Sequence, residues 1–351
     1  MSEYDYLNAR VRGMSTDLLT SGFYEQVLAA YSETILMDAL LGSAYSEDLR
    51  RARERHASLS VAAAVEAAVW SHAAATFQRL LFAAPPSPRR LIALQLNRWD
   101  VAAVAALARA RLAGAPPHEA LASVLPLGEM TAEDLARLAA EPDLDGLADA
   151  LTAGKRPIGF EMRRALRECP APADPRAVER SLYQAYFAWA LGQLREGDPH
   201  EVLLRDGIRR HIDIMNVVTL LTGIRARPQE TRPDVLYERG LLPQKFLDEL
   251  AACPALEDAF EALASSYLGP GVEKGILTYG QSQSLGVMER FLEAVVVEHS
   301  CRLFRRDSLS ASVPLGFIWR AYNECVNLRL LARGTRYHMP AAAVRLELVM
   351  V

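Results

Sequence analysis

Apolar residues along this chain recur at helical spacing, and they rarely alternate with polar residues as they would in a half-buried strand. The clearest case lies between Pro314 and Gly334, where six apolar residues follow one face of a continuous helical pattern. These are Leu315, Ile318, Trp319, Tyr322, Val326 and Leu330. Proline and glycine clusters, such as those at 85–88 and 154–159, separate the helical segments and mark turns. The pattern therefore predicts an all-α protein of many helices.

Composition agrees with a folded helical chain. Of the 351 residues, 51% are hydrophobic, which is enough for a sizeable core and excludes a disordered chain. The formal charge of −4 argues against a general nucleic-acid-binding protein. No uninterrupted apolar run is long enough to span a bilayer, and the first 12 residues do not resemble a signal peptide. Four scattered cysteines form no C-x-x-C motif, so we expect reduced thiols in a cytoplasmic protein.

An acidic residue followed three positions later by asparagine recurs along the chain. Complete copies begin at Asp5, Asp213 and Glu324, and a degraded copy has Asp100 with Ala103 in place of the asparagine. Successive acidic residues are separated by 95, 113 and 111 positions. This spacing suggests an internal repeat.

Two further markers keep the same order and nearly the same period. The tripeptide Leu-Ala-Ala stands at 28–30, 138–140 and 250–252, and a glutamate stands at positions 66, 179 and 289. We therefore predict three similar helical units, at 1–94, 95–207 and 208–318, and a closing helical segment at 319–351. Such a chain closes on itself if the last segment packs beside the first unit.

The acid and the asparagine of each motif lie on one face of a helix. Two interpretations stay open: these residues join neighbouring helices, because buried polar groups need partners, or they line a surface for a partner protein. The window 301–340 carries seven arginines against two acidic residues, which fits either a solvated face or a site for an acidic partner. The candidate partner interface comprises Arg320, Asn323, Glu324, Asn327, Arg329, Arg333, Asp213 and Asn216.

Motifs of catalytic sites are missing from the sequence. The segment 269–275 is rich in glycine, but it lacks the Walker A spacing and the hydroxyl residue after Lys274. The seven histidines form no H-E-x-x-H motif, and His211 with Asp213, two positions apart in a helical segment, is typical of a structural pair. We therefore expect no catalytic residues, no cofactor and no metal, and a helical enzyme with an unrecognised site is disfavoured.

The repeats resemble a known family. The segment 6–14 is similar to the opening of the C subunit of bacterial and archaeal V-type (A-type) rotary ATPases, the counterpart of the eukaryotic d subunit. The segment 94–114 resembles the second repeat of that family, and the motifs at Asp213 and Glu324 resemble its third and closing copies. The resemblance covers essentially the whole chain, with two departures. Ala103 stands where the family has asparagine, and the region around 155–210 matches in pattern alone.

This resemblance implies three similar helical domains around a pseudo-threefold axis, in the shape of a funnel. It also implies that the narrow face sits on the membrane proteolipid ring and that the cavity receives the central shaft, made of the D and F subunits. The chain would then be a non-catalytic central-stalk subunit at the cytoplasmic face of the cell membrane. There it would transmit torque between ATP synthesis or hydrolysis and proton or sodium transport. The alternative is a free-standing helical scaffold or protein-binding module; neither function involves a nucleic acid or a small-molecule substrate.

Overall fold

The computed structural model describes residues 3–55, 60–122, 124–226 and 236–351. Within these ranges the chain is helical and has no strand, so the predicted all-α class is confirmed. The first six α-helices are α1 Glu3–Met14, α2 Ser21–Ala29, α3 Glu33–Leu41, α4 Ser46–Arg55, α5 Val61–Ala83 and α6 Pro86–Leu112. The next six are α7 Pro117–Ala122, α8 Ala132–Ala140, α9 Leu144–Ala150, α10 Pro157–Arg167, α11 Pro175–Gly192 and α12 Pro199–Ala226.

The remaining described helices are α13 Gln244–Ala251, α14 Leu256–Ala264, α15 Gly269–Ser282, α16 Leu285–Arg302, α17 Ser312–Arg336 and α18 Ala341–Glu347. Short 3₁₀ turns follow α1 and α16, at Ser15–Asp17 and Leu303–Arg305.

Helices α6, α12 and α17 are the longest in the described part of the chain and carry the last three copies of the acidic motif, whereas the first copy, at Asp5, lies on α1. Each has a proline in its first turn, at Pro86, Pro199 and Pro314. Proline suits this position because the N–H that it lacks would have no partner within the helix. The three helices contact one another pairwise, and we call them the central helices.

Three large hydrophobic cores lie in the described residues. One is formed by buried residues between 7 and 99 together with residues of α17 and α18. The second is built mainly from residues 91–212, and the third from residues 214–296. Helix α17 packs along α5, so a segment near the end of the sequence completes the core of the first hundred residues.

The predicted unit boundaries at 94/95, 207/208 and 318/319 fall inside continuous helices. Among the described residues, helix α6 is long enough and apolar enough in composition to cross a membrane, although no uninterrupted apolar run spans it. Arg98 and Asp100 interrupt its apolar residues. Of its most apolar window, 78% is buried inside the molecule, as in the core helix of a folded domain.

Candidate functional site

A buried carboxylate stands in the middle of α12. Asp213 is fully buried and accepts hydrogen bonds from the backbone N–H groups of Leu241 (3.0 Å) and Leu242 (3.2 Å). The hydroxyl of Tyr267 donates a third bond, at 3.0 Å. Burial raises the pKa of Asp213, and these donors act against that rise by stabilising the charged form.

Asp100 holds the same place on α6. It accepts hydrogen bonds at 2.9 Å from the backbone N–H groups of Glu129 and Met130, and from the side-chain amide of Asn97. Burial raises the pKa of Asp100 to about 6. Asp100 keeps these partners although Ala103 stands where the repeat predicts asparagine.

Glu324 is the third buried carboxylate, on α17, and its partners come from the opposite end of the sequence. It accepts hydrogen bonds from the backbone N–H of Leu19 (2.5 Å) and from the hydroxyl of Tyr45 (2.7 Å). Burial raises the pKa of Glu324 to about 7. Leu19 and Tyr45 are 26 residues apart, which is also the separation of the two corresponding donors to Asp213.

Two glycines allow the backbone to approach these carboxylates closely. A Cβ atom on Gly240 would lie 2.0 Å from an oxygen of Asp213, and a Cβ atom on Gly128 would lie 1.9 Å from an oxygen of Asp100. Any larger residue would push the carboxylate away from its N–H donors. The sequence carries a signal for this requirement, since each glycine follows its acid by 27 or 28 positions.

The motif asparagines also bond to backbone. Asn216 donates to the carbonyl of Tyr237 and accepts from its N–H, both at 2.8 Å. Asn327 forms the same pair of bonds with Val349, at 2.9 and 3.2 Å, and Asn323 donates to the same Val349 carbonyl at 2.7 Å. These asparagines therefore fix the backbone of the segments that follow α12 and α18.

Ion pairs join the central helices to their neighbours at related positions. Arg333, nine residues after Glu324, pairs with Glu66 on α5 at 2.8 Å, and Arg329 pairs with the same carboxylate. Arg109, nine residues after Asp100, pairs with Glu179 on α11 at 2.7 Å. The recurring glutamates at 66 and 179 thus have one structural role in common.

The structure divides the predicted interface residues into two groups. Five are buried and bonded within the protein: Asp213, Asn216, Asn323, Glu324 and Asn327. The three of them on α17 line a cleft of only about 20 Å³ beside the segment 349–351. Arg320, Arg329 and Arg333 keep part of their surface exposed, and the guanidinium of Arg320 lies 4.9 Å from the ring centre of Phe304.

A cavity of about 470 Å³ opens to solvent between α6, α12, α16 and α17. Arg98, His211 and Tyr322 all line it, and each stands two residues before the buried carboxylate of its own helix. From the sequence alone, Arg98 is not identified as a site residue and Tyr322 is placed on an apolar face. The constant offset of two residues from the motif acid is the sequence signal that marks both positions. Burial and the neighbouring Arg98 hold the pKa of His211 well below its usual value, so the imidazole is neutral.

The rest of the cavity wall mixes apolar and charged side chains. Its aromatic and aliphatic part includes Trp319, Val297 and Leu330. Its charged part, besides Arg98, comprises Arg290, Arg329, Arg333, Glu293 and Glu347. Because burial raises the pKa of Glu293 and of Glu347, these acids offset the four arginines only in part. The cavity therefore suits a partner that presents both apolar and anionic groups.

The fold and its central cavity define an all-helical protein built around three long helices with buried carboxylates. The chain belongs to the ATP synthase (C/AC39) subunit family, whose model matches residues 7–346. This confirms the resemblance found in the sequence.

Named relatives match over nearly the full length at low identity. The C subunit of the A-type ATP synthase of Thermococcus kodakarensis is 25% identical, over 94% of this chain and 86% of the relative. The C subunit of the V-type ATP synthase of Deinococcus radiodurans is 24% identical, over 98% of this chain and 91% of the relative. That of Thermus thermophilus is 26% identical, over 99% and 98%.

Proposed function

We propose that this chain is a non-catalytic central-stalk subunit of a V-type or A-type ATP synthase. It joins the central shaft, made of the D and F subunits, to the membrane proteolipid ring and transmits torque between them, at the cytoplasmic face of the membrane. Family membership and the named relatives support a subunit of such a complex. The observation that carries the joining role is the meeting of α6, α12 and α17 beside one open cavity.

We propose that the three cores are copies of one unit around a pseudo-threefold axis. The matching bonds of Asp100, Asp213 and Glu324 support this arrangement, since each carboxylate accepts a backbone N–H from outside its own helix. The closing segment 319–351 completes the first unit, because Glu324 bonds to residues of that unit. The units share their central helices, which explains why their boundaries fall within helices and not in linkers.

We propose that the molecule is a funnel whose narrow end lies at the N-terminal ends of the central helices, where contacts join them. Arg90 of α6 pairs with Glu201 of α12, and the N–H of Ala311, just before α17, donates to the imidazole of His200 at 3.2 Å. The cavity lies further along the same helices and forms the open end, where the shaft would enter.

Exposed apolar side chains gather around the narrow end. Phe82, four residues before α6, is 85% exposed, and Leu309, three residues before α17, is 62% exposed. Val202 lies in the first turn of α12, and Tyr6 lies on α1, whose Asn8 bonds to carbonyls on both sides of Leu309. We assign this end to the proteolipid ring, since exposed apolar groups on one face mark an interaction surface.

The arginines with exposed surface belong to the proposed partner surface. Arg329 and Arg333 line the shaft cavity and are 37% and 49% exposed. Arg320 lies on the same helix beside a small cleft between the segment 18–24 and the segment 349–351. Their charge suits separable interfaces with acidic partners, which assemble and resist slippage through polar contacts.

Co-elution from a size-exclusion column tests the joining role. The purified chain is run with its cognate D–F pair and, separately, with the detergent-solubilised proteolipid ring. We expect it to shift into both complexes. A folded monomer that binds neither partner would instead favour the free-standing helical scaffold.

A further inference from the structure

The cavity contains three side chains at matching positions on the central helices, and only one of them is charged. His211 is neutral because its pKa is depressed, and burial keeps the hydroxyl of Tyr322 protonated by raising its pKa. Arg98 occupies the corresponding position on α6. Among these three matching positions, a cation therefore stands on α6 alone.

The guanidinium of Arg98 is available for a ligand. It lies 4.5 Å from the ring centre of Trp319 and 5.2 Å from that of Trp99, so aromatic faces hold it in place. Among the described residues it has neither an ion pair nor a hydrogen bond. Stacking occupies the face of the guanidinium and leaves the N–H groups along its edge free to bind a carboxylate.

The acids nearby do not take this role. Glu293 and Glu347 line the same cavity, and neither forms an ion pair with Arg98 in the described part of the chain. The charges of Arg290 and Arg98 act against the effect of burial on the pKa of Glu293. Burial raises the pKa of both, which favours their neutral forms. Arg329 and Arg333, by contrast, already share Glu66. Arg290 donates a hydrogen bond to the backbone carbonyl of Glu347 at 3.3 Å. Arg98 is therefore the arginine of this cavity that has neither an ion pair nor a hydrogen bond in the described part of the chain.

We propose that Arg98 binds a carboxylate at the tip of the shaft and thereby selects one of three rotational settings of the shaft in its seat. This inference rests on the proposed function. A pseudo-threefold seat offers an asymmetric shaft three positions of similar shape, and apolar contacts alone discriminate weakly between them. A charge pair in a partly desolvated cavity discriminates strongly, because in the other two settings the carboxylate would face His211 or Tyr322 in place of Arg98.

Binding of the D–F pair to Arg98→Gln tests the charge contact, with Arg12→Gln as the matched control. Arg12 also stacks on an aromatic ring, that of Phe304, at 5.5 Å, but it does not line the cavity. We expect Arg98→Gln to raise the Kd of the D–F pair by about tenfold or more and Arg12→Gln to leave it unchanged. Arg98→Lys keeps the positive charge but loses the planar guanidinium that binds a carboxylate through two N–H groups. The Kd of the D–F pair for this variant should therefore lie between those for the wild type and for Arg98→Gln.

The rotational setting has its own readout. One spin label is placed on the shaft tip and a second at position 82 of this chain, in a Cys253→Ser background. Pulsed electron paramagnetic resonance then measures the distance between the labels, and a shaft with one rotational setting gives one distance. We expect a single distance for the wild type and several for Arg98→Gln. Trp fluorescence and the thermal midpoint establish that each variant is folded.

The outcomes separate the two proposals. If the wild type binds the D–F pair and Arg98→Gln binds equally well with one distance, the inference is wrong and the proposed function stands. If Arg98→Gln binds weakly but keeps a single distance, Arg98 contributes affinity and the selection of a setting is overturned. If the wild type does not bind the D–F pair, the proposed function itself fails.

Discussion

The carboxylate of Glu324 and the hydroxyl of Tyr45 form a 2.7 Å hydrogen bond, although 279 residues separate them in the sequence. Both side chains are buried, at 4% and 2% exposure. The same carboxylate accepts the N–H of Leu19, so α17 is fastened to two separate places in the first hundred residues. The ends of the described chain are thus joined by polar bonds inside the protein as well as by apolar packing.

Replacing Glu324 with glutamine should make the free energy of unfolding fall less as pH rises. The folded-state pKa of about 7 exceeds the ordinary value of 4.5, so the native state holds the proton more tightly than the unfolded chain. Its contribution to stability is therefore complete below pH 4.5 and is lost as pH rises through 7. Urea unfolding at pH 5 and pH 8 should show the wild type losing up to about 3 kcal/mol relative to Glu324→Gln. Equal pH dependence of the two proteins would contradict the assignment.

Gly240→Ala should destabilise the third core. The added methyl group would meet an oxygen of Asp213 at 2.0 Å and displace a buried carboxylate from its backbone donors, at a cost of about 2–4 kcal/mol. Gly207→Ala is the matched control on α12, because a Cβ atom there meets nothing within 4 Å. That control should be neutral or stabilising by up to about 1 kcal/mol. Chemical denaturation of both variants distinguishes the two effects, and similar midpoints would refute the close-approach argument.

Charge reversal at both Arg329 and Arg333 should weaken binding of the D–F pair. These side chains are more than a third exposed, so loss of their ion pairs with Glu66 should cost only about 1 kcal/mol of stability. Adding Glu66→Arg restores ion pairs of inverted sign and serves as the folding control. Affinities are measured by titration of the shaft pair. If the folded variants bind shaft and ring with unchanged affinity, these arginines do not belong to either interface.

Glutamate at Phe82 or Leu309 should reduce binding to the proteolipid ring and leave binding of the D–F pair intact. Both side chains are exposed in the isolated chain, so the substitutions should have little effect on folding. Leu277→Glu is the control, since Leu277 is 77% exposed but lies on α15, which packs against α14 and α16. Co-elution with the detergent-solubilised ring is the measurement. If all three variants co-elute with the ring equally well, the narrow end does not belong to the ring interface.

The sequence was sufficient for the helical class, the recurring acidic motif and the family. Helical periodicity is local, so a stretch such as 315–330 predicts its own secondary structure without information from the rest of the chain. The motif positions were also informative, since Asp100, Asp213 and Glu324 all prove to be buried carboxylates of the central helices. The three-unit organisation and its boundaries stay predictions.

Which way the motif faces was decided by tertiary structure alone. The spacing places Glu324 and Asn327 on one face, but whether that face meets solvent or another helix depends on residues far away in the sequence, here Leu19, Tyr45 and Val349. This is why five of the eight predicted interface residues turned out to be buried.

The candidate site itself came from packing. By sequence, Arg98, His211 and Tyr322 are single polar or aromatic residues on three separate helices, more than a hundred positions apart. Only the pairwise contacts of α6, α12 and α17 bring them to one cavity. Periodicity within a helix determines which residues share a face, whereas the packing of whole helices, which buries those faces against each other, determines which faces meet.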